Sequence, residues 1–263
     1  MPLVFTAIMP HPPVAIPTIG KEKSSQIKKT VDAMEKLEKD LYASKPDIVI
    51  IISPHGQVNP DAFTVNVSDH FEINFKEFGD FATKFDVKGD MVLMSTNSEK
   101  INNKLPINII SDKELDHGIG VPAYFLLRHL EGTSLIPIYY SLLDNVSHFE
   151  FGKSLKELAM DSDKRIAVIA SGDLSHCLTD KAPLPFNSTG KEFDEKLIEL
   201  LKGADSQAII NLDHKLIEKA AECGLRSILI LLGVLNNYNY KTEILSYEAP
   251  FGVGYLVANL RLE

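Results

Sequence analysis

The run Asp47-Ile48-Val49-Ile50-Ile51-Ile52-Ser53-Pro54-His55-Gly56 reads as a strand that ends abruptly. Its β-branched residues are consecutive rather than alternating with polar ones, the pattern of a strand covered on both faces. Pro54 withdraws a backbone donor and Gly56 opens a turn, so the ladder stops there and leaves His55 just beyond the strand. The same construction occurs twice more. Residues 165–170 (RIAVIA) run into Ser171-Gly172-Asp173-Leu174-Ser175-His176, and residues 3–9 run into Pro10-His11-Pro12-Pro13.

Helix-like segments fall between the strand-like ones. Ile27, Val31, Met34, Leu37 and Leu41 lie three and four apart, which predicts a helix over 26–42. Helices are also expected over 90–104, 121–130 and 149–160, with three more between 192 and 235. Strands are expected over 106–110, 134–140, 241–247 and 252–260, and residues 62–67 and 71–75 read as a paired, more exposed addition. The prolines and glycine within 179–190 mark a loop. Alternating strands and helices predict an α/β fold, a three-layer α/β/α sandwich around a central mixed, mostly parallel sheet. No repeat or linker divides the chain, so residues 1–263 are expected to form a single domain.

Composition narrows the function classes. The 263 residues carry 27 Lys+Arg against 36 Asp+Glu, a net charge of −9. That balance argues against a nucleic-acid partner, which needs a basic surface. The apolar stretches 48–52 and 228–235 are far shorter than the ~20 residues of a membrane span. The N-terminal MPLVFTAIMPHPP lacks the basic segment and cleavage site of a signal peptide. Two cysteines, Cys177 and Cys223, build no disulfide framework, and a reducing cytoplasm is the expected location. A homodimer is the base-rate expectation.

Eight histidines are present, and they divide by context. His70, His129, His148 and His214 fall among polar or helix-terminal neighbours and are expected to be solvated or capping residues. His11, His55 and His176 follow strands directly, and His117 lies in Asp116-His117-Gly118-Ile119-Gly120-Val121-Pro122, a loop leading into a helix. In open α/β sheets, ligands bind beyond the carboxyl ends of the strands. Four histidines in Pro- or Gly-fixed loops at that edge point to a metal site, and with a carboxylate they suit Fe(II), Zn or Mn. Glu222 is a candidate to complete it, with a helix-terminal acid as its plainer reading. Its neighbour Cys223 competes as a thiolate ligand for zinc or copper. Asp173 and Asp116 are further candidates, each placed to orient a histidine.

The ordered set Pro-His-Pro, Ser-Pro-His-Gly, Asp-His-Gly-x-x-Val-Pro and Asp-Leu-Ser-His resembles the class III, LigB-type extradiol ring-cleavage dioxygenases. It looks closest to their Memo-like branch, which is associated with radical-SAM partners. The resemblance implies non-haem Fe(II) held by His11, His55 and Glu222, with His176 as the acid/base. His117 is implied as the histidine that stabilises substrate or superoxide. It further implies a catechol-like aromatic substrate, O₂ as co-substrate, and in some relatives a small partner subunit. Memo-like relatives place a cysteine in a similar Cys-Gly setting, so Cys223 with zinc or copper would indicate a metal-binding accessory protein of a radical-SAM system. A zinc-dependent hydrolase is the remaining alternative. The loop 179–190, through Leu184 and Phe186, and Tyr139 and Tyr140 are expected near the pocket or in the core.

Overall fold

The computed structural model describes residues 2–93 and 104–263. Strands β1 (Leu3–Met9), β2 (Ile48–Ser53), β3 (Phe63–Asn66), β4 (His70–Phe75), β5 (Asp80–Lys88), β6 (Ile107–Ile110), β7 (Ser134–Tyr139), β8 (Ile166–Ser171), β9 (Tyr240–Glu248) and β10 (Tyr255–Leu262) alternate with helices over much of the chain. The main helices are α1 (Lys28–Ser44), α2 (His117–Leu126), α3 (Asn145–Met160), α4 (Ser188–Lys202), α5 (Ser206–Ile210), α6 (His214–Ala220) and α7 (Leu225–Val234).

An eight-stranded mixed sheet, in the order β6-β3-β7-β2-β8-β1-β10-β9, forms the middle layer. Its centre, β7-β2-β8-β1, is parallel throughout. The expected class, helices around a mixed and mostly parallel sheet, is therefore the observed one. Ile50 stands opposite Ile136 on one side and Val168 on the other, so three of the apolar runs form the heart of the sheet.

Burial on both faces is visible within β2 itself. Ile48, Ile50 and Ile52 pack into one apolar layer with Phe151, Phe193 and Leu229, contributed by α3, α4 and α7. Val49 and Ile51 pack into the other, with Met34 and Leu37 of α1 and Ile119 of α2. A fully buried side chain of this size stabilises by roughly 1.5–3 kcal/mol, which is why a polar residue is absent from the run. The α3–α7 contact is unusually close. A Cβ at Gly152 would come within 2.0 Å of the Ile230 carbonyl oxygen, and one at Gly233 within 2.1 Å of that of Phe149. Glycine at both crossing points lets α7 lie tight against α3, which fixes the chain that enters α7.

Four details differ from the expectations. Residues 62–67 and 71–75 do not pair with one another. β3 enters the main sheet between β7 and β6, while β4 pairs with β5 in a separate hairpin. Their burial explains the split: all four residues of β3 are buried, whereas β4 alternates and turns Phe71, Ile73 and Phe75 inward. Helix α2 begins at His117, because Asp116 caps it through the N–H groups of Gly118 and Ile119. Helix α3 likewise begins at Asn145, capped by Asp144. That start carries His148 into the first turn facing inward: it is 0% exposed, with its ring nitrogens 2.7 Å from the Asp144 carbonyl and 3.0 Å from that of Ser141. The expectation of a solvated His148 is thereby corrected. Finally, four helices rather than three occupy 188–234. The helix expected over 90–104 lies for the most part outside the described residues. Among the described residues no helix is long and apolar enough to cross a membrane.

Candidate metal centre

Because β1, β2 and β8 are parallel neighbours, their carboxyl ends share one edge of the sheet. His11 and His55 each stand two residues beyond their strands, and Asp173 two beyond β8. The rings of His11 and His55 meet edge to face with Nε2 atoms 3.1 Å apart. Cys223 Sγ approaches from the turn before α7, 3.8 Å from His11 Nε2. The three donor atoms lie within 4.8 Å of one another. Nitrogens at about 2.0–2.1 Å and a thiolate at about 2.3 Å from one ion would themselves be about 3–4 Å apart. The two separations about His11 Nε2, 3.1 and 3.8 Å, fall in that range, so the donor set suits a single transition metal.

Electrostatics suit the same use. Burial, followed by the neighbouring histidines, holds His11 well below the usual imidazole range and brings His55 down to about 4. Both are therefore neutral lone-pair donors at pH 7. Burial pushes the Cys223 thiol up, so metal binding must displace its proton. The Asp173 N–H, 3.3 Å from Sγ, is placed to stabilise the thiolate that results. Asp173 also accepts the His11 backbone N–H at 3.0 Å, and burial raises its carboxyl to about 7.

Glu222, one residue away, is not part of this cluster. Its Oε2 accepts the Leu225 N–H at 2.6 Å, and the side chain lines a separate cavity of about 410 Å³ together with Arg226, Leu143 and Ile210. Ala221, with φ of +51°, turns the chain between α6 and these two residues. Of the two candidates the turn supplied, the structure brings the cysteine to the histidines.

His117 packs against both, its ring centroid 4.4 Å from His55 and 5.4 Å from His11. Over it lies the turn of the β4–β5 hairpin, Lys76–Phe78. Glu77 Oε1 is 3.3 Å from His117 Nδ1, and the Phe78 ring stands 5.1 Å away. Neither residue was anticipated; the signal would have been the pairing of β4 with β5, which alone brings this turn to the site. His176 is half-buried and near enough to depress both His11 and His55. Burial lowers its basicity, an effect that the nearby backbone of Ala221 and Leu174 partly offsets. The loop expected over 179–190 folds back beside it, with the Leu184 N–H reaching the His176 carbonyl at 3.4 Å and Phe186 more than half exposed. Tyr139 and Tyr140 are both buried. A Cβ at Gly56 (φ +76°) would strike the Tyr139 ring at 2.6 Å, so only glycine suits that turn.

Three further contacts hold the loops together. Asp116 Oδ1 accepts Ser53 Oγ at 2.8 Å as well as capping α2, which ties β2 to the helix bearing His117. Ser171, the last residue of β8, donates its hydroxyl to the Gly118 carbonyl at 2.5 Å. The same Oγ lies 2.9 Å from His11 Nδ1.

Residues 5–258 match the family described as the catalytic LigB subunit of aromatic ring-opening dioxygenase. Similar proteins include Protein CA_C1420 of Clostridium acetobutylicum, 32% identical over 96% of this chain but only 56% of its own length. The chain thus spans little more than half of that relative. The 3,4-dihydroxyphenylacetate 2,3-dioxygenase of Escherichia coli is 23% identical over 84% of this chain and 85% of its own. The 2-aminophenol 1,6-dioxygenase beta subunit of Pseudomonas sp. is 22% identical over 97% and 92%. Among solved structures, uncharacterized protein JW3007 of Escherichia coli K12 shares the fold, with a TM-score of 0.67 at 16% identity over 97% of this chain and 98% of that one.

Proposed function

Because this chain belongs to the family of catalytic LigB subunits of aromatic ring-opening dioxygenases, we propose that it is a metal-dependent dioxygenase whose ion is held by His11, His55 and Cys223. The observation that carries the reading is the convergence of two imidazole nitrogens and one thiol sulfur at the carboxyl ends of adjacent parallel strands. The proposed substrate is an aromatic ring with adjacent hydroxyl, or hydroxyl and amino, groups, the chemistry named for two of the similar proteins. A thiolate carries the same single negative charge as a carboxylate, so Cys223 preserves the charge that a third ligand of Glu type would give. When bound, a ferrous ion supplies Lewis-acid and one-electron chemistry toward the ring and O₂.

The remaining residues act on protons and on the ring. His176 is neutral at pH 7, because burial lowers its basicity, and it lies near enough to His11 and His55 to act beside them. It accepts the proton of the second ring hydroxyl and later returns it, the double duty an imidazole performs near neutrality. His117, beside His55, offers a hydrogen bond to negative charge as it develops on oxygen. Phe78, whose ring stands against His117, offers an apolar surface to the aromatic ring.

A second reading follows from Cys223 itself. Thiolate ligands favour zinc or copper over iron, and a chain loaded with either would act as a metal-binding accessory protein of the Memo type that cleaves no ring. One set of experiments separates the readings. Protein reconstituted anaerobically with Fe(II) is mixed with 3,4-dihydroxyphenylacetate or 2-aminophenol and oxygen, and ring-opened product is followed. Product formation is expected, with metal lost in Cys223→Ala and retained in Glu222→Gln. Retention in Cys223→Ala with loss in Glu222→Gln would overturn the ligand set, and absence of product with tight zinc or copper would leave the accessory role.

A further inference from the structure

His11 meets a metal through Nε2 only when its ring proton is on Nδ1, and nothing in the imidazole itself enforces that tautomer. The protein does so through hydrogen bonds that begin on another element. Pro122 lies inside α2 and has no N–H, so the carbonyl four residues earlier, that of Gly118, receives no helical hydrogen bond from it. Ser171 fills that vacancy from β8, its Oγ–H reaching the Gly118 oxygen at 2.5 Å. A carbonyl only accepts, and a serine hydroxyl has one proton to give. The Oγ therefore faces His11 Nδ1, 2.9 Å away, as an acceptor. Nδ1 must then carry the hydrogen, and the Nε2 lone pair is left pointing toward His55 Nε2 and Cys223 Sγ.

Position 118 has no room for any other residue. A Cβ there would lie 2.3 Å from Ser53 Oγ, 2.8 Å from Asp116 Oδ1 and 3.1 Å from the His55 ring. The Gly-x-x-Val-Pro spacing of 118–122 thus has a physical content. Glycine lets α2 press against the His55 loop, and proline, four residues on, leaves a carbonyl to be claimed by Ser171.

We propose that Ser171 is a positioning residue that locks His11 as its Nδ1–H tautomer and so presents the Nε2 lone pair to the metal, with Pro122 keeping the acceptor available. The proposal rests on His11 being a ligand, yet its first test needs no metal. Long-range ¹H–¹⁵N spectra of the metal-free protein report which ring nitrogen of His11 is protonated. The expected result is Nδ1–H in the wild type and a shift toward Nε2–H, donating to His55, in Ser171→Ala. Zinc affinity, measured by competition with a chromophoric chelator, is expected to fall about 10- to 100-fold in Ser171→Ala and to recover in Ser171→Thr, which keeps the hydroxyl. A wild-type His11 found as Nε2–H overturns the proposal even if no variant folds. So does a Ser171→Ala protein that melts normally and binds zinc within a few-fold of the wild type. If the tautomer is as stated but His11→Ala keeps its metal, the ligand assignment falls and the tautomer lock stands.

Discussion

Ala221 occupies the left-handed region, φ +51°, at the end of α6, and this conformation costs a residue with a Cβ about 1–2 kcal/mol. The backbone turns there so that Cys223 Sγ lies 3.8 Å from His11 Nε2 while Glu222 caps the Leu225 N–H in a different cavity. Ala221→Gly is therefore expected to raise stability by about 0.5–1 kcal/mol with zinc binding unchanged, whereas Ala221→Val should lower both; urea midpoints and chelator competition measure the two. Nothing in the sequence Ala-Ala-Glu-Cys-Gly separates the two candidates, because the directions of adjacent side chains in a turn depend on one dihedral. His176 stands after a strand in the sequence and near His11 and His55 in the fold, which leads to a different expectation. His176→Ala should keep its metal and lose ring cleavage by about 10²–10⁴-fold, while His11→Ala and His55→Ala should lose the metal. Metal content and turnover on the same preparations decide between these outcomes.

Between elements, the loop carrying His176 is fastened from α4. Asp194 is fully buried, accepts the Ser175 N–H at 2.9 Å and takes the Tyr247 hydroxyl of β9 at 2.6 Å. Burial raises its carboxyl to about 6, against about 3.9 in an unfolded chain. Between those values the folded protein holds a proton that the unfolded chain has released. The stability it contributes is thus complete below about pH 4 and lost as pH rises through about 6, up to about 3 kcal/mol. Asp194→Asn should accordingly stabilise the protein more at pH 7 than at pH 4, as read from urea midpoints across that range. A larger gain at pH 4 would show that the carboxyl is not raised. Strands β2 and β8 were legible because a β-branched run bounded by Pro or Gly has few other readings. The partner of β4 was not, since alternation marks which face is buried and says nothing of which strand lies alongside. That is why the turn holding Glu77 and Phe78 could not be placed over His117 from the sequence.

At the scale of the molecule, the proposed metal would join three places far apart in the chain: the tip of β1, the tip of β2 and the turn before α7. The sheet and its two apolar layers are built without it, so the ion adds stability by linkage rather than by making the fold possible. The fold class was readable because both layers are written into the same strands, with Ile50 and Ile51 on opposite faces. A 16% identical protein with the same fold illustrates that such patterning outlasts individual residues, whereas the donor set changes with a single side chain. Zinc at a free concentration of 100 times its Kd should stabilise the folded chain by about 2.7 kcal/mol. For a protein of this size, at about 2–4 °C per kcal/mol, the melting temperature should rise by roughly 5–10 °C. The rise should vanish in Cys223→Ala and with excess chelator, and persist in Glu222→Gln. A zinc-dependent shift that survives Cys223→Ala would mean that the ion binds elsewhere, and the cluster at the strand tips would then have no claim to it.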